Sequence, residues 1–421
     1  MKRVALLCLM LAVLIPGAAT AQVSMQMSNG WTFTFSGNVN AFYVFSAGSV
    51  NQAGAIDGGL TSADKASRIR TGLLPSEFAF DATGKVDGLD IGAHFGIYPQ
   101  IQNASIHDQF VSGSVQAGAQ IDMRQVYLTV GGTWGQITAG RTLDLFNRQN
   151  ILTDMTLFGV GASGTVFGGG GTTLGRIGYG YIYPNFNAQL TYSTPANKPG
   201  QLSIGLFDPD AVKTDSITFT GTRLPRAEAE FVFTGNTGTA TGAPGTAPNK
   251  YMLWVNGMVQ RTEAVPNDFG SGINPSLTSG GVGGGAKLDF SGLSLVGSGY
   301  YASGVGSTLY FGTVLGPTVA DAANNTRKSY GFIGQATYAI TNTKWIIGAS
   351  YGESDVRQTD LDKSTGNDAL LKKNADFAAM LTNQVNKNLK WVGEYDYIWS
   401  TAHSGAKVHA NQAATGLMLF F

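Results

Sequence analysis

The residue types that most often carry catalysis are sparse and scattered in this chain of 421 residues. No cysteine and histidine cluster has the spacing of a zinc site. Residues 159–164 read Gly-Val-Gly-Ala-Ser-Gly and match the dinucleotide-binding glycine pattern, but no strand, turn and helix surround them. We therefore predict no enzyme, no catalytic residue and no cofactor, and we expect each histidine to be solvated: His94, His107, His403 and His409.

One acidic stretch is similar to the start of a calcium-binding loop. Residues 360–366 read Asp-Leu-Asp-Lys-Ser-Thr-Gly, but the glycine falls one place late, and Leu371 stands at position twelve, where such loops carry glutamate. This stretch therefore predicts a solvated loop, and no metal site is expected.

The composition excludes several classes of protein. The 27 basic and 27 acidic residues balance, so the chain lacks the positive charge typical of nucleic-acid-binding proteins. The 58 glycines with only 13 prolines do not fit collagen, and 43% hydrophobic residues do not fit intrinsic disorder. Charged residues make up 13% of the chain, about half of the ~25% that soluble proteins carry.

Residues 1–21 have the organisation of a secretory signal peptide. Lys2 and Arg3 form a positive start, residues 4–15 are apolar, and residues 19–21 supply the small side chains of a cleavage site. A retained membrane anchor is the alternative, but this apolar run is shorter than the roughly 20 residues of a spanning helix. We favour secretion.

Cleavage is predicted before Gln22, so residues 22–421 form the mature chain, which we expect to be a single domain. The only cysteine, Cys8, lies in the signal peptide, so the mature chain has no disulfide and no thiol chemistry. No apolar run after residue 21 is long enough for a transmembrane helix.

Beyond the signal peptide, apolar and polar residues alternate with a period of two, the pattern of strands with one apolar and one polar face. Within residues 31–46, the odd positions are mostly apolar and the even positions mostly polar. The alternation recurs at residues 225–234, 344–353 and 389–399. The chain is therefore predicted to be all-β, and the pattern alone leaves a soluble β-sandwich open.

The connections favour a transmembrane antiparallel β-barrel. Short turns, such as residues 86–88 and 341–343, alternate with long polar segments, such as residues 99–120 and 304–328. Transmembrane barrels keep short turns at one membrane surface and long loops at the other. Residues 235–249 are the exception and must form an unusually long periplasmic turn.

The alternating segments predict sixteen strands. They lie near residues 31–46, 68–85, 89–99, 121–131, 134–141, 186–194, 201–208, 225–234, 250–260, 281–290, 293–303, 329–340, 344–353, 375–386, 389–399 and 411–421. Further strands at residues 174–183 and 214–222 would give eighteen, and both even numbers suit a barrel. Closure is expected because an open sheet edge in hydrocarbon leaves backbone groups unpaired.

Three segments then carry a resemblance to a known family. The chain ends on an alternating apolar strand with Phe421 as its last residue. Residues 124–141 begin with arginine and end with Gly-Arg, and residues 192–195 read Tyr-Ser-Thr-Pro. In these features the chain resembles the Gram-negative porin family, with residues 124–141 similar to its fourth and fifth strands.

The resemblance implies an outer-membrane homotrimer of sixteen-stranded barrels, each with its third loop, here residues 142–185, folded into the lumen. Phe421 is the expected signal to the outer-membrane assembly machinery, and the expected surroundings are lipid and lipopolysaccharide. In this family, acidic residues of the loop lie opposite arginines of the wall, across the narrowest point of the channel. The candidates for the pore constriction are Arg124, Arg141, Asp144, Arg148, Asp154 and Arg176.

The resemblance supports these candidates unequally. Arg124 and Arg141 match the arginines of the family motif, whereas the loop acids are assigned by position alone, because the chain lacks the Pro-Glu-Phe-Gly element of many relatives. Arg124 has the strand parity of Val126 and Leu128, so it faces the lumen only if a bulge intervenes or an apolar row points inward. The loop charges can pin the loop, set selectivity, or do both.

The expected function is passive diffusion of small hydrophilic solutes and ions through a water-filled channel. The main alternative is a substrate-specific outer-membrane channel with a solute-binding site in the lumen. A barrel hydrolase would require a serine, a histidine and an acid that converge at the outer rim. The balanced charge leaves the preference for cations or anions open.

Overall fold

The computed structural model describes residues 23–49, 55–60, 65–102, 121–163, 172–237, 249–263, 276–312 and 316–421. The predicted signal peptide and His107 lie outside these residues. Among the described residues, no helix is both long and apolar enough to cross a membrane. The helices are α1 (Arg148–Thr153), α2 (Asp360–Thr365) and two 3-10 helices at Met155–Phe158 and Tyr310–Gly312. The strands are β1 (Val23–Gln26), β2 (Thr32–Gly48), β3 (Lys65–Arg70), β4 (Glu77–Val86), β5 (Leu89–Pro99), β6 (Ile121–Gly132), β7 (Gly135–Leu143), β8 (Phe186–Ser193), β9 (Gly200–Phe207), β10 (Val212–Lys213), β11 (Thr218–Phe219), β12 (Arg226–Asn236), β13 (Lys250–Glu263), β14 (Ser276–Phe290), β15 (Leu293–Ser303), β16 (Lys328–Ala339), β17 (Trp345–Arg357), β18 (Leu371–Gln384), β19 (Leu389–Ala402) and β20 (Lys407–Phe420).

Sixteen antiparallel strands form one closed barrel, as the alternation predicts. β20 returns to pair with β2 and closes the sheet. β3 and β4 pair with the two ends of β2 and are halves of one barrel strand, while β1 pairs with β2 beyond the end of β20. The alternative of eighteen strands is wrong, because β10 and β11 form a separate two-stranded sheet and residues 174–183 contain no strand.

The two faces of the barrel differ sharply in polarity. In β2 the side chains of Val39 and Tyr43 are 45% and 48% exposed, whereas Asn38 and Asn40 are 2% and 1% exposed. Large apolar side chains cover the outward face of most strands, and polar side chains occupy many inward positions. A soluble sandwich buries its apolar face, so that alternative is wrong.

Short turns connect the strands at one end of the barrel, which we call the turn end. Longer connections join them at the other end, which we call the loop end. Asp87-Gly88 joins β4 to β5 and Ser291-Gly292 joins β14 to β15, and all four residues have positive φ. This conformation is the type I′ turn, whose twist matches that of the flanking strands. Most of the predicted long turn at residues 235–249 lies outside the described residues.

The second predicted strand is interrupted between β3 and β4. Residues 71–76 leave the ladder there, since Pro75 has no N–H to donate. The inward amides of Asn38 and Asn40 replace the lost partners and donate to the carbonyl oxygens of Pro75 at 3.1 Å and Leu74 at 2.9 Å. These bonds hold the interrupted backbone toward the barrel interior.

Three connections at the loop end meet at Arg327. Its guanidinium donates to Asp215 at 2.6 Å and, through Nε, to Asp362 at 2.8 Å. Thr359 and Asp362 form a capping box that starts α2. Most of residues 360–366 are exposed, as predicted, but they form a capped helix and not an irregular loop, and Asp362 is buried in an ion pair.

The charge on Asp362 is expected to stabilise the folded barrel near neutral pH. Burial raises the pKa of this carboxyl, but hydrogen bonds from Arg327, Asn367 and the Thr359 amide outweigh burial and leave the pKa well below its ordinary value. Because the pKa is lower in the folded state, the stabilisation is present above the ordinary pKa and disappears as the pH falls through the folded-state value.

We expect Asp362→Asn to lower the free energy of unfolding by about 1–3 kcal/mol at pH 7, and the difference from wild type to shrink in strong acid. Thermal melts followed by circular dichroism across pH measure this. Asp360→Asn is the control, because Asp360 is fully exposed. An equal loss in both variants contradicts the assignment.

Candidate functional site

The third loop, residues 144–185, joins β7 to β8, and the structure describes residues 144–163 and 172–185 of it. It contains α1 and the Met155–Phe158 turn. Asp154 lies between them and accepts hydrogen bonds from the Thr156 amide at 2.8 Å and from the Tyr181 hydroxyl at 2.7 Å. The two described parts of the loop are therefore joined through one buried carboxylate.

An ion-pair cluster at Arg226 holds the start of the third loop. This buried arginine of β12 lies 2.6 Å from Asp144, 2.6 Å from Asp210 and 2.8 Å from Glu228. Glu228 also accepts hydrogen bonds from two successive loop amides, at 2.9 and 2.8 Å. Burial and the nearby Glu228 raise the pKa of Asp144, and the charge of Arg226 opposes this rise.

Further contacts fasten α1 to the wall. Arg148 forms an ion pair with Glu230 of β12, and Gln149 donates to the same carboxylate at 3.0 Å. The indole of Trp254 on β13 donates to Asn150 at 3.0 Å. These partners lie on the inward faces of their strands, so one side of α1 is held by the barrel wall.

The second described part of the loop is held by Arg176. Its side chain is buried, lies 3.1 Å from the Asp376 carboxylate of β18 and donates to the Ser350 carbonyl of β17 at 2.7 Å. In the ring of sixteen strands, β17 and β18 are eight places from β7 and β8, to which the loop is attached. Arg176 therefore contacts the wall halfway round the barrel from the ends of its own loop.

The glycine-rich residues 159–163 meet a carboxylate of the wall. The amides of Val160 and Gly161 donate to Glu394 of β19, and the Gly161 carbonyl accepts from Gln412 of β20 at 2.6 Å. A Cβ at residue 159 would collide with Glu394. The glycines thus permit close approach to a side chain of the protein itself.

Apolar contacts accompany these polar anchors. Loop residues join inward side chains of β2 and β18–β20 in one buried cluster: Phe42, Val44, Met155, Val160, Ala378, Met380, Val392, Ala414, Met418 and Phe420. The inward face is therefore polar in most places but apolar where the loop packs against it.

The six constriction candidates fall into three groups. Asp144, Asp154 and Arg176 are buried, at 0%, 4% and 0% exposure, and are engaged in the anchors described above. Arg148 and Arg124 keep 23% and 14% of their side chains exposed. Arg141 is exposed and lies away from the loop, on the barrel wall.

A β-bulge turns Arg124 inward. Gln125 pairs with Gly96, but Asp122 pairs with Tyr98, so two residues of β6 oppose one residue of β5. The Arg124 guanidinium lies 5.8 Å from the Tyr98 ring centroid and donates to Asp122 at 2.7 Å. The sequence left two ways for Arg124 to face the lumen, a bulge or an inward apolar row, and the structure shows the bulge.

Arg141 lies on the outward face. It pairs directly with Val126 on β6 and Ala188 on β8, on the same face as the exposed side chains of Ile137 and Leu190. Opposed residues of an antiparallel pair share a face, and no register shift interrupts β7. The inward position predicted for Arg141 is therefore wrong.

The solvated state predicted for the histidines is wrong for His94. This residue is buried on the inward face, with Nδ1 2.7 Å from Asp81 and its ring stacked 4.8 Å from that of Tyr127. His403 and His409 are half-buried, each with one hydrogen-bonded ring nitrogen. Alternation places a residue on a face but does not reveal its burial there.

One further pattern in the sequence is typical of a hydrolase. Residues 348–352 read Gly-Ala-Ser-Tyr-Gly, the spacing of a hydrolase nucleophile elbow, which requires a strand-to-helix turn. They lie within β17 instead, and the Ser350 hydroxyl accepts a hydrogen bond from Arg176. Within the described ranges, no group of three or more histidine, cysteine or acidic residues is arranged to hold a metal ion.

The wall residues that hold the loop are the main gap in the sequence-based prediction. Arg226, Glu228, Glu230 and Glu394 are recognisable as inward positions, but their loop partners are not. The available signal is local density, since β12 carries charges at three successive inward positions. Such a density of charged side chains is unusual for a barrel wall that contacts only water.

Glu394 is expected to restrain the third loop. In a Leu157→Cys background the buried thiol should react slowly with a soluble maleimide, and it is the single thiol of the mature chain. Glu394→Ala removes the acceptor of two loop amides, which stabilise by roughly 1.5–3 kcal/mol each, so labelling should accelerate at least about tenfold.

Glu353→Ala in the same background is the matched control, because this carboxylate lies on the outward face and pairs with Lys373. Labelling that is unchanged in the Glu394 variant, or equally fast in both variants, contradicts the anchoring role.

A closed barrel with an apolar outward face and a polar inward face is a membrane-spanning β-barrel. The family model described as Gram-negative porin matches residues 5–402. The chain belongs to the Gram-negative porin family and is an outer-membrane channel protein. No curated protein matches the sequence of this chain.

Solved structures share the fold at low sequence identity. The outer-membrane channel DcaP of Acinetobacter baumannii has a TM-score of 0.65 at 13% identity, over 95% of this chain and 100% of that one. The anion-selective porin from Comamonas acidovorans has a TM-score of 0.57 at 11% identity, over 93% and 100%. OmpT of Vibrio cholerae in its trimer form has a TM-score of 0.53 at 16% identity, over 93% and 100%.

Proposed function

We propose that this protein is a non-enzymatic porin that lets small hydrophilic solutes and ions diffuse passively across the outer membrane. The observation that carries this proposal is the inward polar face of a closed barrel whose third loop is anchored to strands halfway round the ring. A loop so anchored crosses the lumen and narrows it, and the remaining passage selects solutes by size and charge.

The constriction is formed in part by Arg124 and Arg148. Both are charged, both face inward and both keep part of the side chain exposed. Asp144, Asp154 and Arg176 act as anchors that fix the loop, and their burial keeps them from direct contact with solutes.

Assembly and export complete the proposal. Three copies form a homotrimer, in line with the trimer form of the similar OmpT of Vibrio cholerae. Residues 1–21 are removed as a signal peptide, and Phe421 directs the mature chain to the assembly machinery. Phe421 exchanges two backbone hydrogen bonds with Gly37, at 2.8 and 3.0 Å, beside the closing seam. Lipid and lipopolysaccharide surround the barrel.

A substrate-specific channel is the second candidate. The apolar cluster that joins Phe42 and Met418 to loop residues Met155 and Val160 favours it, because buried side chains inside a barrel leave less room for water. A solute class that binds in the remaining passage would block the ionic current, whereas a general porin shows no such block.

Single-channel recording in a planar bilayer tests the function. The purified mature protein should give ohmic steps in groups of three, with a reversal potential under a salt gradient. Folded, inserted protein that gives no steps contradicts the channel. Steps that one solute class blocks favour the substrate-specific channel.

Arg124→Ala and Arg148→Ala are each expected to raise the ratio of cation to anion permeability. A unit charge about 8 Å from a passing ion changes the energy of a cation and of an anion by about 0.5 kcal/mol each, in opposite directions, even in water, so the ratio should rise roughly sixfold. Reversal potentials in a KCl gradient measure it.

Arg141→Ala is the control with the same loss of charge. Because Arg141 faces outward, this substitution should leave the ratio of cation to anion permeability unchanged. A shift as large in this control as in the other variants contradicts the assignment of the constriction.

A further inference from the structure

Two connections at the loop end fold together into one unit, which we call the lid. Its members are residues 212–219, 305–312 and 316–320. Backbone hydrogen bonds join the two connections, since the Val319 amide donates to the Lys213 carbonyl at 3.1 Å. The Asp215 amide donates in turn to the Ala320 carbonyl, also at 3.1 Å. The two connections therefore form one unit, although they leave the barrel at different strands.

The underside of the lid is apolar and buried. Val212, Phe219 and Phe311 have no exposed surface. They belong to one buried cluster with Phe146 of the third loop and with inward side chains of β13–β15, such as Met258. Because the lid shares this cluster with wall side chains that point into the lumen, it lies within the mouth of the barrel and not above its rim.

Hydrogen bonds seat the lid on the third loop. The Tyr310 hydroxyl donates to the Phe146 carbonyl at 3.0 Å. The Tyr183 amide donates to the Thr308 carbonyl at 2.9 Å. Phe146 and Tyr183 lie near the two ends of the third loop, so the lid covers both. A solute that enters at the loop end must pass beside the lid before it reaches the third loop.

Arg327 connects both parts of the lid to a third element. Its buried guanidinium donates to both carboxylate oxygens of Asp215, at 2.6 and 3.1 Å. It also donates to the Thr318 hydroxyl at 2.6 Å and to the Ala320 carbonyl at 3.2 Å. Through Nε it binds Asp362 of α2 at 2.8 Å. One planar side chain therefore holds the two parts of the lid together and ties them to α2.

The lid has fewer charged anchors than the third loop. The third loop is fastened to the wall at three separate places, through Glu228, Arg176 and Glu394. Within the part of the chain that the structure describes, every ion pair of the lid involves Arg327. Segments with fewer anchors open at a lower cost in free energy. The lid is therefore the element of the mouth that one substitution can release.

We propose that the lid sets the upper size limit of the solutes that enter the channel, with Arg327 as its positioning residue. Small solutes pass beside the closed lid, whereas larger solutes pass only when it opens. The proposal rests on the channel activity proposed above and adds a second determinant of size to the third loop.

Liposome swelling with neutral sugars tests the proposal, because neutral solutes report size and not charge. A hydrogen bond to a charged group changes an equilibrium about tenfold or more. Arg327→Gln should therefore raise the open fraction of the lid, and with it the uptake rate of stachyose relative to arabinose, at least about tenfold. Arg327→Lys keeps the charge and should reverse part of this rise. Arg357→Gln is the matched control, because it removes the same charge from the outward face at the loop end and should leave the ratio unchanged.

Thiol labelling reports the position of the lid directly. In a Val319→Cys background the thiol is buried on the underside of the lid, and Arg327→Gln should accelerate its reaction with a soluble maleimide by the same factor as the sugar ratio. In a Val160→Cys background the thiol is buried between the third loop and the wall, and its labelling rate should not change. Heat-modifiable gel migration confirms that each variant is folded.

Three results overturn the proposal. Faster labelling at residue 319 with an unchanged sugar ratio means that the third loop alone sets the size limit. Unchanged labelling means that Arg327 does not hold the lid, and equal acceleration at residues 319 and 160 means that it acts on the whole interior. Folded wild-type protein that does not admit even arabinose contradicts the channel itself, which differs from a channel whose size limit stays the same.

Discussion

The structure depends on the requirement that every backbone amide and carbonyl in the membrane has a hydrogen-bond partner. The pairing of β2 with β20 meets this requirement by closing the sheet. Closure fixes which side chains point outward to lipid and which point inward, and the inward face is where charged residues are tolerated. The anchors of the third loop follow from this division, because a buried ion pair is stable only where both partners and their hydrogen bonds are supplied.

The third loop is held mainly by bonds between charged side chains and backbone groups. Glu228 and Glu394 each accept from two successive loop amides. A loop that leaves a strand has unpaired amides of its own, and carboxylates are strong acceptors for them. Arg226 and Arg176 balance part of the resulting negative charge. The same residues thus satisfy the backbone of the loop and join it to the wall.

Alternation and turn chemistry are local properties, and the sequence accordingly predicts the strands, the short turns and the closed barrel well. The outcomes that differ depend on non-local or one-residue effects. Arg124 faces inward because one extra residue in β6 changes its parity, whereas Arg141, in a regular strand, does not. Asp362 is buried by a partner that no spacing reveals, Arg327 in another loop. His94 is buried against Asp81, which lies directly opposite it across the β4–β5 hairpin.

The anchors also connect distant parts of the chain, which bears on the order of folding. Gly161 and Gln412 are separated by 251 positions, and Gly161 and Glu394 by 233. The third loop leaves the wall early in the chain, but the partners of Val160 and Gly161 belong to the last two strands. Because contacts of long sequence separation form late and slowly, this part of the loop reaches its final place only as the barrel closes. A barrel that has not yet closed therefore has no loop fixed across its lumen.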